Sequence, residues 1–424
     1  MKIEQLHKLY LSCNSVNTDT RKINAGDMFF ALKGENFNGN QYAEQAIEKG
    51  AKYAVVDEAD FANSTNIILV DNVLESLQKL ATFHRDYLNI PIIALTGSNG
   101  KTTTKELINA VLSKKFKTTA TAGNLNNHIG VPLTLLSMNQ DTEIGIIEMG
   151  ANHQKEIEFL CNIAKPDYGY ITNFGKAHLE GFGGIEGVIK GKSEMYNHLI
   201  PRGKTIFVNA NDSIQVEKTK HAQTYSFGNT NSDVTISLID AQPYVKSKYN
   251  NLVIESQLIG AYNFSNIAAA IAIGNYFKVD DTNIKTAIEN YIASNNRSQI
   301  IKKESIKIIL DAYNANPTSM KAALLNFEKQ AGTKIAILGD MFELGGEAET
   351  EHQNIVNLAS YLNINQIIFI GENFFKTSVN TTKASKFKSF DTFKTNFDMS
   401  QIKNSTLLIK GSRGMALERV VHAL

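Results

Sequence analysis

Hydrophobic and polar positions follow two rhythms along this chain. Short apolar runs at residues 28–32, 53–57 and 67–70 are separated by stretches at 41–49 and 73–87 in which apolar positions return at helical spacing. That rhythm predicts strands alternating with helices. Residues 91–95 predict a short buried strand, and Leu107, Ile108, Val111 and Leu112 fall on one face of the helix after it. Further strands are predicted at 144–147 and 168–172, and between Asp233 and Leu258 the apolar and polar positions alternate like antiparallel strands. From about Ser298 a strand-then-helix rhythm repeats: 306–310, 319–329, 335–338, 350–362, 366–370 and 407–409 before a C-terminal helix. Such alternation predicts a doubly wound parallel sheet.

With 424 residues the chain is too long for one hydrophobic core. The predicted fold class is α/β in three domains. Residues 1–89 form a small α/β domain, 90–297 a central parallel sheet like that of P-loop ATPases, and 298–424 a Rossmann-like doubly wound sheet. No Gly-x-Gly-x-x-Gly follows the first strand of the third segment, so nothing argues for a dinucleotide.

Charge narrows the partners. The formal net charge is +1 with both signs interspersed, which removes the electrostatic argument for nucleic acid or an anionic membrane. The first residues carry charges at Lys2, Glu4 and Lys8, and no long apolar run follows. A cytoplasmic protein without membrane insertion is therefore expected. Cys13 and Cys161 are too isolated for a disulfide framework and read as packing residues.

The candidate chemistry starts at Leu95-Thr96-Gly97-Ser98-Asn99-Gly100-Lys101-Thr102-Thr103-Thr104. It joins the predicted strand to the predicted helix. Gly97 and Gly100 let backbone N–H groups turn toward an anion, the helix N-terminus adds its dipole, Lys101 reaches outer phosphates and the Thr102 hydroxyl suits Mg²⁺. The expected ligand is ATP, held by residues 97–103. The loop is shorter than the usual phosphate loop, since Leu95 stands where its first glycine would be.

Glu148 ends the 144–147 strand, and ligands gather at the carboxyl ends of parallel strands. His178 lies just after another strand; it reads either as a metal ligand or as a satisfied polar residue. Ile185, Val188, Ile189, Met195, Tyr196 and Leu199 form an apolar helical stripe with Lys192 inside it and Lys190 on the far side. Lys192 either snorkels to water or is buried with a lowered pKa, giving an amine able to form a carbamate. Spacing leaves both readings open.

Several separated motifs now combine: the loop around Gly97, Gly123-Asn124-Leu125-Asn126-Asn127-His128-Ile129-Gly130-Val131-Pro132, Glu148-Met149-Gly150-Ala151, Ala177-His178-Leu179-Glu180, Asp311-Ala312-Tyr313-Asn314-Ala315-Asn316-Pro317, Leu338-Gly339-Asp340-Met341-Phe342-Glu343-Leu344-Gly345 and Lys410-Gly411-Ser412-Arg413. With these the chain resembles the ATP-dependent Mur ligases of peptidoglycan synthesis, over nearly its whole length. Within them it is most similar to the branch that joins UDP-N-acetylmuramoyl-tripeptide to D-alanyl-D-alanine.

The resemblance implies that the first domain holds the UDP end of the substrate through loops containing Thr20, Arg21, Lys33 and Gly34. Asn126 and Asn127 would face that substrate near the metals. Glu148, His178 and carbamylated Lys192 would surround two Mg²⁺ ions together with Thr102. Asn263 would contact the adenine, Arg297 the ATP phosphates and Asp311 the nucleotide. Asn38 and Tyr262 depart from the aspartate and histidine common in the family. The implied chemistry is carboxylate activation by ATP to an acyl phosphate, followed by attack of the dipeptide amine, in a monomer. Lys101, Lys192, His178, Glu148 and Asn126 would form its catalytic group. Rival readings are the sister ligase that adds the third amino acid, an ATP-hydrolysing switch, and a non-catalytic binder on the same fold. Tyr-Asn-Ala-Asn-Pro in place of the sister's Asp-Asn-Pro-Arg favours the dipeptide ligase. The non-catalytic binder would have lost Lys101, Glu148, His178 or Lys192, and all four are present.

Overall fold

The apolar run at 91–95 becomes the strand Ile92–Thr96 inside a nine-stranded sheet, in a computed structural model that describes residues 1–424. Its neighbours are Tyr168–Ile171 and Ile144–Glu148, both parallel to it, with Leu95 level with Glu148 and Thr96 with Ile171. Every residue of Ile92–Thr96 and Ile144–Glu148 is buried, as expected of strands covered on both faces. Away from this centre the sheet runs through Thr205–Asn209, Thr224–Gly228 and Val234–Asp240, then turns antiparallel through Lys246–Tyr249 and Leu252–Glu255. The alternation read between Asp233 and Leu258 is this antiparallel edge.

The first segment forms a parallel sheet in the order Val16–Asn17, Met28–Phe30, Tyr53–Val56, Ile67–Leu69. Two local expectations change there. The helix expected at 41–49 splits into a 3₁₀ turn, Gly39–Tyr42, and a shorter α-helix, Ala43–Glu48, because the Asn38 side chain accepts from Asn40 N–H and starts a tight turn first. The loop at 33–39 is a small antiparallel hairpin pairing Lys33–Gly34 with Phe37–Asn38.

The third segment is a six-stranded sheet ordered Gln299–Lys303, Ile306–Asp311, Ser405–Lys410, Thr333–Gly339, Gln366–Ile370, Ala384–Phe387; only the first pair is antiparallel. Its helix Pro317–Glu328 begins with a reciprocal cap, Asn316 Oδ1 accepting from Ser319 N–H and Ser319 Oγ accepting from Asn316 N–H. That cap leaves the Asn316 amide nitrogen free to point at another domain. One apolar cluster runs from Leu6 to Leu408 through all three sheets, so the domains are packed on one another. No helix is long and apolar enough to cross a membrane.

Candidate active site

A cavity of about 1000 Å³ opens over the carboxyl ends of the central strands, and all three segments line it. Leu74 and Gln78 come from the first, Ser98, Asn99, Gly100, Lys101 and Thr103 from the phosphate loop, and Asp311, Tyr313, Asn314 and Lys410 from the third.

The loop is shaped by its glycines. Gly97 has φ 141° and a Cβ there would stand 2.0 Å from Thr172 Oγ1; Gly100 has φ 81° and its Cβ would stand 2.5 Å from Asn266 Oδ1. Only glycine fits either position. Asn99 is pinned by its neighbour strand, its N–H donating to Asn173 Oδ1 at 3.1 Å and its carbonyl accepting from Asn173 Nδ2 at 2.9 Å. Across the domain junction Asn316 Nδ2 donates to Asn99 Oδ1 at 2.8 Å. Ser98 is held by its Oγ, which donates to Gly175 O at 2.7 Å. Lys101 Nζ folds back on the loop and donates to Gly97 O at 2.8 Å. Burial, opposed by Glu148 and reinforced by Arg297, lowers its amine to about 8.

Glu148 is fully buried and collects three side chains. Thr102 Oγ1 donates to Oε1 at 3.2 Å, Asn126 Nδ2 donates to the same oxygen at 2.8 Å, and Lys105 Nζ stands 3.8 Å from Oε2. Oε2 itself has no hydrogen-bond partner. A buried carboxylate oxygen without a donor is costly unless a cation completes it. No three His, Cys, Asp or Glu side chains gather tightly enough to hold a metal alone.

His178 lines the same cavity, and its Nδ1 sits against Glu343 Oε2 of the third segment, off the alignment of an ideal hydrogen bond. Lys192 lies just behind the cavity wall. It is 1 % exposed, its Nζ donates to Ala151 O at 3.1 Å and lies 4.9 Å from the Phe182 ring centre, and it has no carboxylate partner. Snorkelling is thereby excluded. Burial first, then the neighbouring Lys101 charge, hold this amine well below the usual lysine range.

The end of the second segment and the third segment each supply a cation stacked on one ring. The Arg297 guanidinium carbon lies 3.7 Å and that of Arg413 lies 4.9 Å from the Tyr313 ring centre, and Arg297 Nε is buried without a partner. Asp311 accepts from Lys410 Nζ at 2.6 Å and from Ser298 N–H at 3.1 Å.

Other expected contacts are occupied within the fold. The Asn263 amide is satisfied by Ile259 O and Asn266, although the residue lines the cavity. Asn127 Oδ1 accepts from Ile129 and Gly130 N–H and starts the next helix, while also lining the cavity. Thr20, Arg21, Lys33 and Gly34 lie outside the cavity lining. Arg21 pairs with Asp19, Lys33 pairs with Asp57 and Glu58, and Thr20 O accepts from Lys49 Nζ. Sequence reasoning assigned no role to Asn173, Tyr313, Asn316, Glu343 or Lys410, although each lay in or beside a quoted stretch. Their partners are far away in sequence, so no spacing reveals them.

Known proteins resemble this chain along its whole length. Residues 95–274 match a Mur ligase middle domain, 296–413 the glutamate ligase domain of Mur ligases, and 13–85 the Mur ligase family catalytic domain. The UDP-N-acetylmuramoyl-tripeptide--D-alanyl-D-alanine ligase of Bacillus subtilis (strain 168) is 36% identical over 97% of this chain and 93% of its own. A crystal structure of MurF from Acinetobacter baumannii superposes with TM-score 0.87 at 30% identity, covering 99% of this chain and 98% of that one. MurF ligase from Thermotoga maritima, solved in complex with ADP, gives 0.83 at 25% identity over 98% and 97%. Matching in all three segments, and along a full-length relative, the chain belongs to the Mur ligase family.

Proposed function

We propose that this chain joins UDP-N-acetylmuramoyl-tripeptide to D-alanyl-D-alanine at the expense of ATP, releasing ADP and phosphate. The observation that carries this reading is the single cavity lined by all three segments, with a phosphate loop on one wall. A switch or hydrolase needs only the phosphate loop; a ligase needs room for two further substrates beside it. The relatives named above support the substrate pair, and the ADP complex of a relative supports nucleotide binding at the loop.

In this reading residues 1–89 hold the UDP end, 90–297 the nucleotide, and 298–424 the dipeptide and part of the nucleotide. Lys101 leaves Gly97 O to meet the outer phosphates, and Arg297, whose buried Nε has no partner, turns to the same charge. Thr102, Glu148, His178 and Lys192 as its carbamate would hold two Mg²⁺ ions; the Glu148 Oε2 that accepts no hydrogen bond and the disfavoured Lys192 charge fit that role. When bound, Mg²⁺ supplies positive charge beside the transferring phosphoryl group and the acyl oxyanion. Asn126, which lines the cavity, orients Glu148 through its amide nitrogen and faces the UDP-tripeptide beside it. The tripeptide carboxylate takes the γ-phosphoryl group, the dipeptide amine attacks the acyl carbon, and phosphate leaves. Docking of Asn316 on Asn99 closes the third segment over the loop and excludes water.

Phosphate release from ATP, measured with the UDP-tripeptide and each acceptor in turn, tests the reading. Release that requires D-alanyl-D-alanine is expected. Release supported by a single diamino acid on the UDP-dipeptide indicates the sister ligase, and acceptor-independent release a hydrolase.

A further inference from the structure

Glu343 reaches across the domain junction to His178 from a backbone position that glutamate seldom occupies. Its φ is 60°, in the left-handed region, and His178 opposite it has φ 52°. Strain of this kind persists where the surroundings over-determine it. Here they do. Upstream, Met341 N–H donates to His352 Nε2 at 3.0 Å and Phe342 N–H donates to Ser412 Oγ at 2.9 Å. At the junction, Glu180 N–H donates to Glu343 O at 3.3 Å, and Gly345 lies so close to Glu180 that a Cβ there would stand 3.2 Å from that side chain. The loop at 340–345 is thus tied both to its own domain and to the His178 loop.

The Glu343 carboxylate is the sole partner of His178 Nδ1. A carboxylate only accepts, so in the neutral ring Nδ1 carries the proton and the lone pair lies on Nε2. Metal-binding histidines are commonly oriented by such a carboxylate behind the ring.

We infer that Glu343 is a positioning residue: it fixes the tautomer and orientation of His178, so that Nε2 is offered to a divalent cation when the C-terminal domain is docked. Because the carboxylate and the ring belong to different domains, assembly of the cation site and domain closure become one event. This rests on the reading of His178 as a metal ligand.

The test uses the full chain with ADP and Mn²⁺ as the probe, free Mn²⁺ being read by electron paramagnetic resonance without turnover. Glu343→Ala is expected to weaken Mn²⁺ binding by about 10- to 100-fold, with ADP affinity in the absence of metal unchanged. Glu343→Gln keeps an acceptor oxygen without the charge, so its loss is expected to be intermediate. The variant lacking both side chains is expected to bind Mn²⁺ no more weakly than His178→Ala alone, because the two act as one unit. Unchanged Mn²⁺ affinity in Glu343→Ala, or losses that simply add in the double variant, would overturn the inference. Should Glu343→Ala fail to fold, Glu343→Gln is read in the same way. If His178→Ala itself leaves Mn²⁺ affinity intact, the metal-ligand reading fails; if His178→Ala weakens it and Glu343→Ala does not, only this inference fails.

Discussion

Lys192 and Lys101 are two amines that burial holds below the usual lysine range, and the Lys101 charge makes the Lys192 proton still less favourable. For Lys101 a bound triphosphate removes the difficulty. Lys192 has only the Ala151 carbonyl and the Phe182 ring beside it, so burial favours its uncharged amine, the form that would take up carbon dioxide in the proposed carbamate. Lys192→Ala is expected to lose nearly all ligation while still binding ATP, and acetate in the assay to restore part of it by occupying the vacated space. Lys190→Ala, exposed on the opposite face, is expected to be nearly silent. Normal turnover in Lys192→Ala, or a bare amine by mass measurement under bicarbonate, would remove the carbamate. The position of Lys192 was legible in the helical stripe, although Ile185 at the start of that stripe is 39% exposed. Its lack of a carboxylate partner was not legible, since that depends on what the Gly150–Asn152 turn and Phe182 place around it.

At the scale of elements, the strand–loop–helix unit was readable because each part obeys a local rule: an apolar run, glycines, then a helical face. What local rules could not supply is why the loop needs glycine at 97. The answer is Thr172, just past the neighbouring strand, whose Oγ1 donates to Asn99 O at 2.6 Å and fills the space a Cβ would take. Gly97→Ala therefore has both an unfavourable φ, costing about 1–3 kcal/mol, and a clash that displaces the phosphate-binding backbone. It is expected to lower the melting temperature and to abolish tight ADP binding. Gly332→Ala, with φ 79° and nothing within 4 Å of the added Cβ, carries the backbone cost alone. Equal melting temperatures for the two variants, with ADP binding retained in Gly97→Ala, would count against the close approach as the reason for glycine. The helix Ile3–Tyr10 escaped the pattern reading, because only Leu6, His7 and Tyr10 are buried and one of them is polar.

For the whole molecule, the polar contacts between domains join residues far apart in sequence, which hides them from any reading by spacing. The N-terminal junction shows how such a seam responds to acid. A carbonyl only accepts, so His84 Nε2 carries the proton it donates to Met138 O at 2.9 Å, and His84 Nδ1 then accepts from His7 Nε2 at 3.0 Å. Tyr10, Phe83 and Tyr87 enclose His7, and Tyr10 OH donates to Leu136 O at 2.7 Å across the same seam. Burial first, then the neighbouring His84, lowers His7 to about 4, and burial lowers His84 as well. The unfolded chain takes up a proton on His7 near pH 6.5, whereas the folded chain resists it until about pH 4. Above pH 6.5 the histidine adds no penalty; below it, stability falls as pH falls, with a ceiling of about 3 kcal/mol from this residue. Buried His198 and His352, lowered in the same direction, add to the wild-type slope, so the informative quantity is a difference between proteins. His7→Gln keeps an amide donor for His84 Nδ1 but cannot titrate. Its melting temperature is expected to fall less steeply than that of the wild type between pH 6.5 and 4, the two curves running parallel above pH 7. Parallel curves throughout would mean that His7 is protonated as easily in the fold as in water, and that this seam does not hold a neutral histidine pair.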